Sequence, residues 1–157
     1  MAYQHKINWS QPGGDVVSFV TEPLKSAVLD YHVQVEVELG DLINVLLRDP
    51  EAFKITGFAR RVALVRALIG KTPDDEIWAI VNKLNEFRNK FGHGTPSAEI
   101  LKAYSQAILE QVRKIWPTFS PSSKGLHDQY IEIVSHAMFV IRRFFREIRK
   151  GLGLPTN

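Results

Sequence analysis

The sequence predicts an all-α protein, a single-domain bundle of about five principal helices. Three observations carry that expectation. Apolar residues recur at spacings of three and four through most of the chain, the repeat of a helix buried on one side. Start and stop signals, Pro behind Asp, Thr or Ser and Gly after an apolar run, punctuate the repeat at helix-length intervals. The one alternating run, Val33, Val35, Val37 and Leu39, has no second such run with which to pair in a sheet.

Residues 1–14 show no periodicity and end in Gln11-Pro12-Gly13-Gly14, so they read as a flexible arm in which Trp9 stands alone. The helical domain is expected over 15–151 and a short tail over 152–157. A first long helix is expected from about Pro23 to Leu47. Val28, His32, Val35, Leu39, Leu42 and Leu46 form its stripe, widened by Ile43 and Leu47. Asp49-Pro50 opens a short turn, with Asp as its cap. Thr56 is expected to cap a helix ending at Ile69, with Gly70 just beyond. Thr72-Pro73-Asp74-Asp75-Glu76 joins a capping hydroxyl, a first-turn Pro and three carboxylates that suit a helix amino end. The helix it starts buries Ile77, Ile80, Val81, Leu84, Phe87 and Phe91 and stops at Gly92-His93-Gly94. Thr95-Pro96-Ser97 starts the next, whose apolar residues are Leu101, Tyr104, Ile108, Val112, Ile115 and Trp116. Residues 117–125, rich in Pro and Ser, form a loop, and a last helix runs from about His127 to Lys150.

The 157 residues suffice for one well-buried core, since a chain of this size hides roughly two-thirds of its unfolded surface. With no Cys, disulfides, thiolate metal sites and a cysteine nucleophile are excluded. No apolar run is long enough to span a bilayer, and the first residues lack the apolar centre of a signal peptide, so a cytoplasmic location away from membranes is expected. Twenty basic residues against 17 acidic ones permit nucleic-acid binding without demanding it. Nucleotide-binding glycine fingerprints, phosphate loops and His-Glu-x-x-His metal motifs are absent, so neither a cofactor nor a metal is expected.

One stretch, Leu84-Asn85-Glu86-Phe87-Arg88-Asn89-Lys90-Phe91-Gly92-His93, carries candidate chemistry. Arg88 is a permanent cation whose planar fork suits phosphate oxygens. His93 can exchange a proton near neutral pH, and Asn89 can orient a hydroxyl or a phosphate. Such a set could cleave an RNA phosphodiester: the histidine moves the proton of a 2′-hydroxyl or leaving oxygen, and the guanidinium stabilises charge growing on phosphorus. Five residues place Arg88 and His93 about 140° apart around an ideal helix, so they do not converge unaided. Either the helix frays at Gly92 and lets His93 turn back, or two copies pool their residues across a dimer axis.

This arrangement resembles the R-x-x-x-x-H motif of the HEPN superfamily of all-helical domains. Tyr31-His32 through Leu39-Gly40-Asp41-Leu42, the run from Phe58-Ala59-Arg60-Arg61 to Leu68, and the Leu84-to-His93 block are similar to its mannitol-operon repressor (MltR-like) branch. The resemblance covers about residues 24–116. It implies a helical homodimer and a metal-independent ribonuclease cleft of toxin, defence or stress-response type. Arg88 would stabilise phosphate, Asn89 would orient it and His93 would do acid–base work. It equally implies a second outcome, a non-catalytic transcriptional regulator acting through contacts with a protein partner, since a fold does not fix a function.

Two further sets are candidates. His32 lies on the apolar stripe of the first long helix, where a histidine is ordinarily a hydrogen-bonded core residue; the branch pattern also has His here, which would bring it to the cleft near Arg88. Arg142, Arg143, Arg146, Arg149 and Lys150 fall on one helical face, opposite Ile141, Phe144, Phe145 and Ile148. That face could track an RNA backbone, or simply be a solvated surface suited to the carboxyl end of a helix.

Overall fold

Five helices build the structure, a computed structural model that describes residues 16–72 and 75–156, with side chains from residue 21 onward. They are α1 (Val16–Leu46), α2 (Phe58–Ile69), α3 (Glu76–Gly92), α4 (Ala98–Ile115) and α5 (Leu126–Gly151), with a 3-10 turn at Pro50–Ala52. No strand occurs among the described residues, so the all-α expectation holds. The expected N-terminal arm with Trp9, and Pro73 and Asp74 of the expected α3 start, lie outside the described residues.

The alternating run 33–39 is helical throughout. Its valines separate by helical rather than strand logic: Val35 and Leu39 are fully buried, while Val33 and Val37 face outward. α1 already runs at Val16 and carries Pro23 inside it, rather than starting there. It packs against α2, α3 and α5, while α4 packs on α3 and α5. The core between them holds the expected stripe of α3 together with Trp78, whose ring meets Phe144 and Phe145 edge-on.

The helix ends agree with expectation in some places and depart in others. Asp49 Oδ1 accepts from the Ala52 N–H, and Ser97 Oγ from the Ile100 N–H. Thr56 is not a cap. α2 begins one residue later than that placement allows, and its capping position is Gly57 (φ +93°), which has no side-chain acceptor. α3 likewise starts at Glu76 behind Asp75, not behind Thr72. Trp116 stands at the end of α4 and is exposed, while Phe119 of the following loop takes the inward place. That loop is clasped to α5: the Glu132 carboxylate accepts from the N–H and hydroxyl groups of both Ser122 and Ser123. These bonds hold its pKa below the usual carboxylate value, the Ser123 hydroxyl contributing most. The expected tail is also partly built in. Gly153 (φ +69°) lets the Gly153 and Leu154 N–H groups reach back to the Lys150 and Arg149 carbonyls, and Leu154 packs against the core.

α1 and α5 lie side by side in the same direction, because their partners advance together: Tyr31 with Ser135, Gln34 with Arg142, Glu38 and Asp41 with Arg149. Arg149 is 9% exposed and donates to Glu38 at 3.0 Å and to Asp41 at 3.1 Å. The two carboxylates sit one helical turn apart on α1, so a single guanidinium fork spans both.

The two ends of this pairing differ in solvation, and so should the cost of breaking it. Arg149→Met frees two carboxylates that are 31% and 53% exposed and rehydrate, and should cost about 1–2 kcal/mol. The double variant Glu38→Ala/Asp41→Ala strands a buried guanidinium and should cost about 3–5 kcal/mol. Urea unfolding of the two variants measures the inequality.

Candidate functional site

On α3, Leu84, Phe87 and Phe91 are buried, which turns Arg88 and Asn89 outward. Asn85 lies three and four residues before them, on the same side of the helix. This edge meets α1 at His32 and the amino end of α2, and the three segments enclose an open hollow of about 430 Å³. Its lining includes His32, Glu36, Arg60, Asn85, Arg88 and Asn89 together with Gly57, Phe58 and Ala59 at the start of α2. The volume lies in the range of small-ligand pockets.

Each side of the hollow brings a different chemistry. The first intrahelical bond of α2 runs from the Arg61 N–H to the Gly57 carbonyl, so the N–H groups of Phe58, Ala59 and Arg60 have no backbone partner within the helix. Gly57 supplies no side-chain acceptor for them. An uncapped helix amino end favours an anion, and two guanidinium groups, Arg60 and Arg88, line the same space. Arg88 Nη1 donates to Asn89 Oδ1 at 3.1 Å, which holds the fork of the guanidinium beside the asparagine amide.

His32 is buried, and it is both of the things its sequence position allowed: a hydrogen-bonded core residue and a wall of the cleft. Its ring stacks on Phe58 with centroids 4.5 Å apart, and Nε2 lies 2.9 Å from Asn85 Oδ1. An amide oxygen only accepts, so Nε2 carries the proton and Nδ1 is left with a free lone pair in the neutral ring. Nδ1 lies 3.9 Å from Glu36 Oε2. Burial pushes the His32 pKa below 6.5, against the opposing pull of Asn85 and Glu36, and the Arg88 charge adds to the lowering. A neutral imidazole with an unprotonated Nδ1 can accept a proton.

His93 does not line the hollow. α3 persists through Gly92, and His93 sits exposed just past its end, so the expected fraying that would return it to Arg88 does not occur. The geometric offset along the helix therefore stands, and within one chain Arg88 and Asn89 are joined by His32 rather than His93. Asn85, Glu36 and the α2 amino end were not singled out from sequence. Asn85 was readable as the residue one turn before Arg88, but nothing local marks Gly57 or Glu36. No three His, Cys, Asp or Glu side chains gather where they could hold a metal ion among the described residues.

The basic face of α5 divides in two. Arg149 is withdrawn from it by the Glu38–Asp41 pairing. Arg142 leans the same way, bonding Gln34 and lying 6.0 Å from the centre of the Tyr31 ring. These two positions share nearly one azimuth, seven residues apart, and that azimuth faces α1. Arg143, Arg146 and Lys150 are exposed and form no ion pair among the described residues.

Comparison of the chain with protein-family models, with curated proteins and with solved structures finds no match.

The lowered His32 pKa sets a sign for stability against pH. The unfolded chain binds this proton near pH 6.5 and the fold binds it only at lower pH, so the fold loses stability as pH falls below about 6.5. His32→Gln should flatten that acid limb between pH 7.5 and 5. Thermal melts of both proteins across this window measure the difference in slope, and parallel curves would refute the assignment.

Proposed function

We propose that the chain is a HEPN-type helical domain, of the mannitol-operon repressor kind, that binds RNA at the α1–α2–α3 hollow and cleaves it by histidine-mediated proton transfer. The observation that carries this reading is the meeting of Arg88, Asn89 and the uncapped amino end of α2 with a neutral, tautomer-held His32 in one open space. The α2 N–H groups and Arg88 hold the scissile phosphate and stabilise the charge added as its transition state forms. Asn89 positions the Arg88 fork. His32 Nδ1 accepts the proton of the ribose 2′-hydroxyl, whose oxygen attacks phosphorus while the bond to the 5′ oxygen breaks. That leaving oxygen takes a proton from His93 of a second copy, completing a 2′,3′-cyclic phosphate and a 5′-hydroxyl. His93 can reach the hollow only from another chain, so the reading needs a homodimer.

A second reading, a non-catalytic regulator that uses the hollow or its rim for protein contacts, is favoured by the place of His93 outside the hollow of its own chain.

The test is incubation of the purified protein with mixed RNA in the presence of a chelator, with analysis of the product ends. Cyclic phosphate ends are expected, with activity falling at least about 100-fold in Arg88→Ala and in His32→Ala or His93→Ala while circular dichroism is retained. Mixing Arg88→Ala with His93→Ala should restore part of the activity, because one of the two hollows in the mixed dimer has both groups. Intact RNA at enzyme excess, or a strict monomer by light scattering, rejects cleavage and leaves the regulator.

A further inference from the structure

A second surface, on the far end of α4 and the outer side of α5, has features that the hollow does not use. Two large rings are left in solvent: Phe139 is 54% exposed and Trp116 40% exposed. They belong to one cluster. The Trp116 ring centre lies 6.1 Å from Phe139 and 5.8 Å from His136, and His136 stacks on buried Phe119 at 4.0 Å. The rings are held in place from behind, since Trp116 Nε1 donates to Thr118 Oγ1 and His136 Nδ1 donates to the Glu132 carbonyl.

His136, Phe139, Arg143, Arg146 and Lys150 follow one another at spacings of three and four, so they lie in a single row along α5. The row begins in the rings and continues into the three unpaired cations, with Glu147 as the acid beside it. From His136 to Lys150 it spans about 21 Å of helix. Aromatic faces that accept bases, followed by a line of cations that accepts the backbone, are the two components of a single-strand site.

We infer that Trp116 and Phe139 form a base-stacking platform which, with Arg143, Arg146 and Lys150, binds single-stranded RNA on the outer face of α5. A duplex keeps its bases stacked inside and offers the rings nothing. An apolar protein partner would leave three cations unpaired at its edge. The occupant that satisfies both halves of the row is an unpaired strand.

The experiment uses the full chain carrying Arg88→Ala, which removes the hollow's phosphate contact and keeps this surface separable from the site proposed above. The probe is a fluorescein-labelled 12-nucleotide oligouridylate, read by anisotropy. Affinity should fall with a log–log salt slope of about −2, for three phosphates neutralised on a single strand. Phe139→Ala should weaken binding at least about fivefold, Phe139→Tyr should restore it, and an abasic strand of equal charge should bind the unaltered surface as weakly as oligouridylate binds Phe139→Ala. Charge reversal at Arg143 and Arg146 should abolish the salt dependence. Equal binding of abasic and base-containing strands, equal or tighter binding of a duplex, or no binding at 50 mM salt would each overturn the inference. The abasic comparison needs no substitution within the platform, so a misfolded platform variant cannot rescue the inference. Absence of cleavage by the unaltered chain, with oligouridylate binding retained, would reject the hollow alone.

Discussion

The stripe that α1 buries, from Leu24 through Val35 to Ile43, is the constraint on which the rest of the structure rests. It is covered by three other helices, α2, α3 and α5. Once that stripe is inward, the azimuth of every other α1 residue is set at about 100° per residue. Tyr31, Gln34, Glu38 and Asp41 then face α5, His32 and Glu36 face the junction with α2 and α3, and Val33 and Val37 face solvent. A helix with three differently employed sides couples the anchoring of α5 to the position of the imidazole.

Of the polar side chains buried among the described residues, Arg149 and His32 have partners, whereas Ser105 Oγ has none. Arg149 meets two carboxylates, and His32 Nε2 donates to the Asn85 amide oxygen. Desolvation disfavours charge on the imidazole, and the nearby Arg88 pushes the same way. The hollow thereby keeps a neutral imidazole beside the Arg88 cation. Burial is what keeps the ring neutral, against the Asn85 hydrogen bond and the Glu36 charge, which both favour the proton.

Much of the fold was legible in the sequence because helical periodicity is a local property. The stripe of α3 (Ile77, Ile80, Val81, Leu84, Phe87, Phe91) lies buried as read, and so do His32, Val35 and Leu39 of α1. Helix ends were legible where a side chain makes the cap: Asp49 as read, and the start of α4 within Thr95-Pro96-Ser97, where Ser97 proves to be the capping residue. They were misread where the backbone makes it: Thr56 looks like a cap, but Gly57 turns the chain at a positive φ open to glycine. The basic run of α5 was legible as a row and not as a set of roles. Nothing in residues 142–150 says that Arg149 will find acids more than a hundred positions earlier.

The sequence by itself determined the helices, their buried sides and the residue types available for phosphate chemistry, because these follow from spacing and side-chain character over a few turns. Tertiary structure alone decided which of them share a space. It joined Arg88 and Asn89 to His32, across 53 positions between His32 and Asn85, and left His93 at the helix tip. The physical reason is that a hollow forms where three separate segments fail to fill the space between them, and no stretch of one segment encodes that gap.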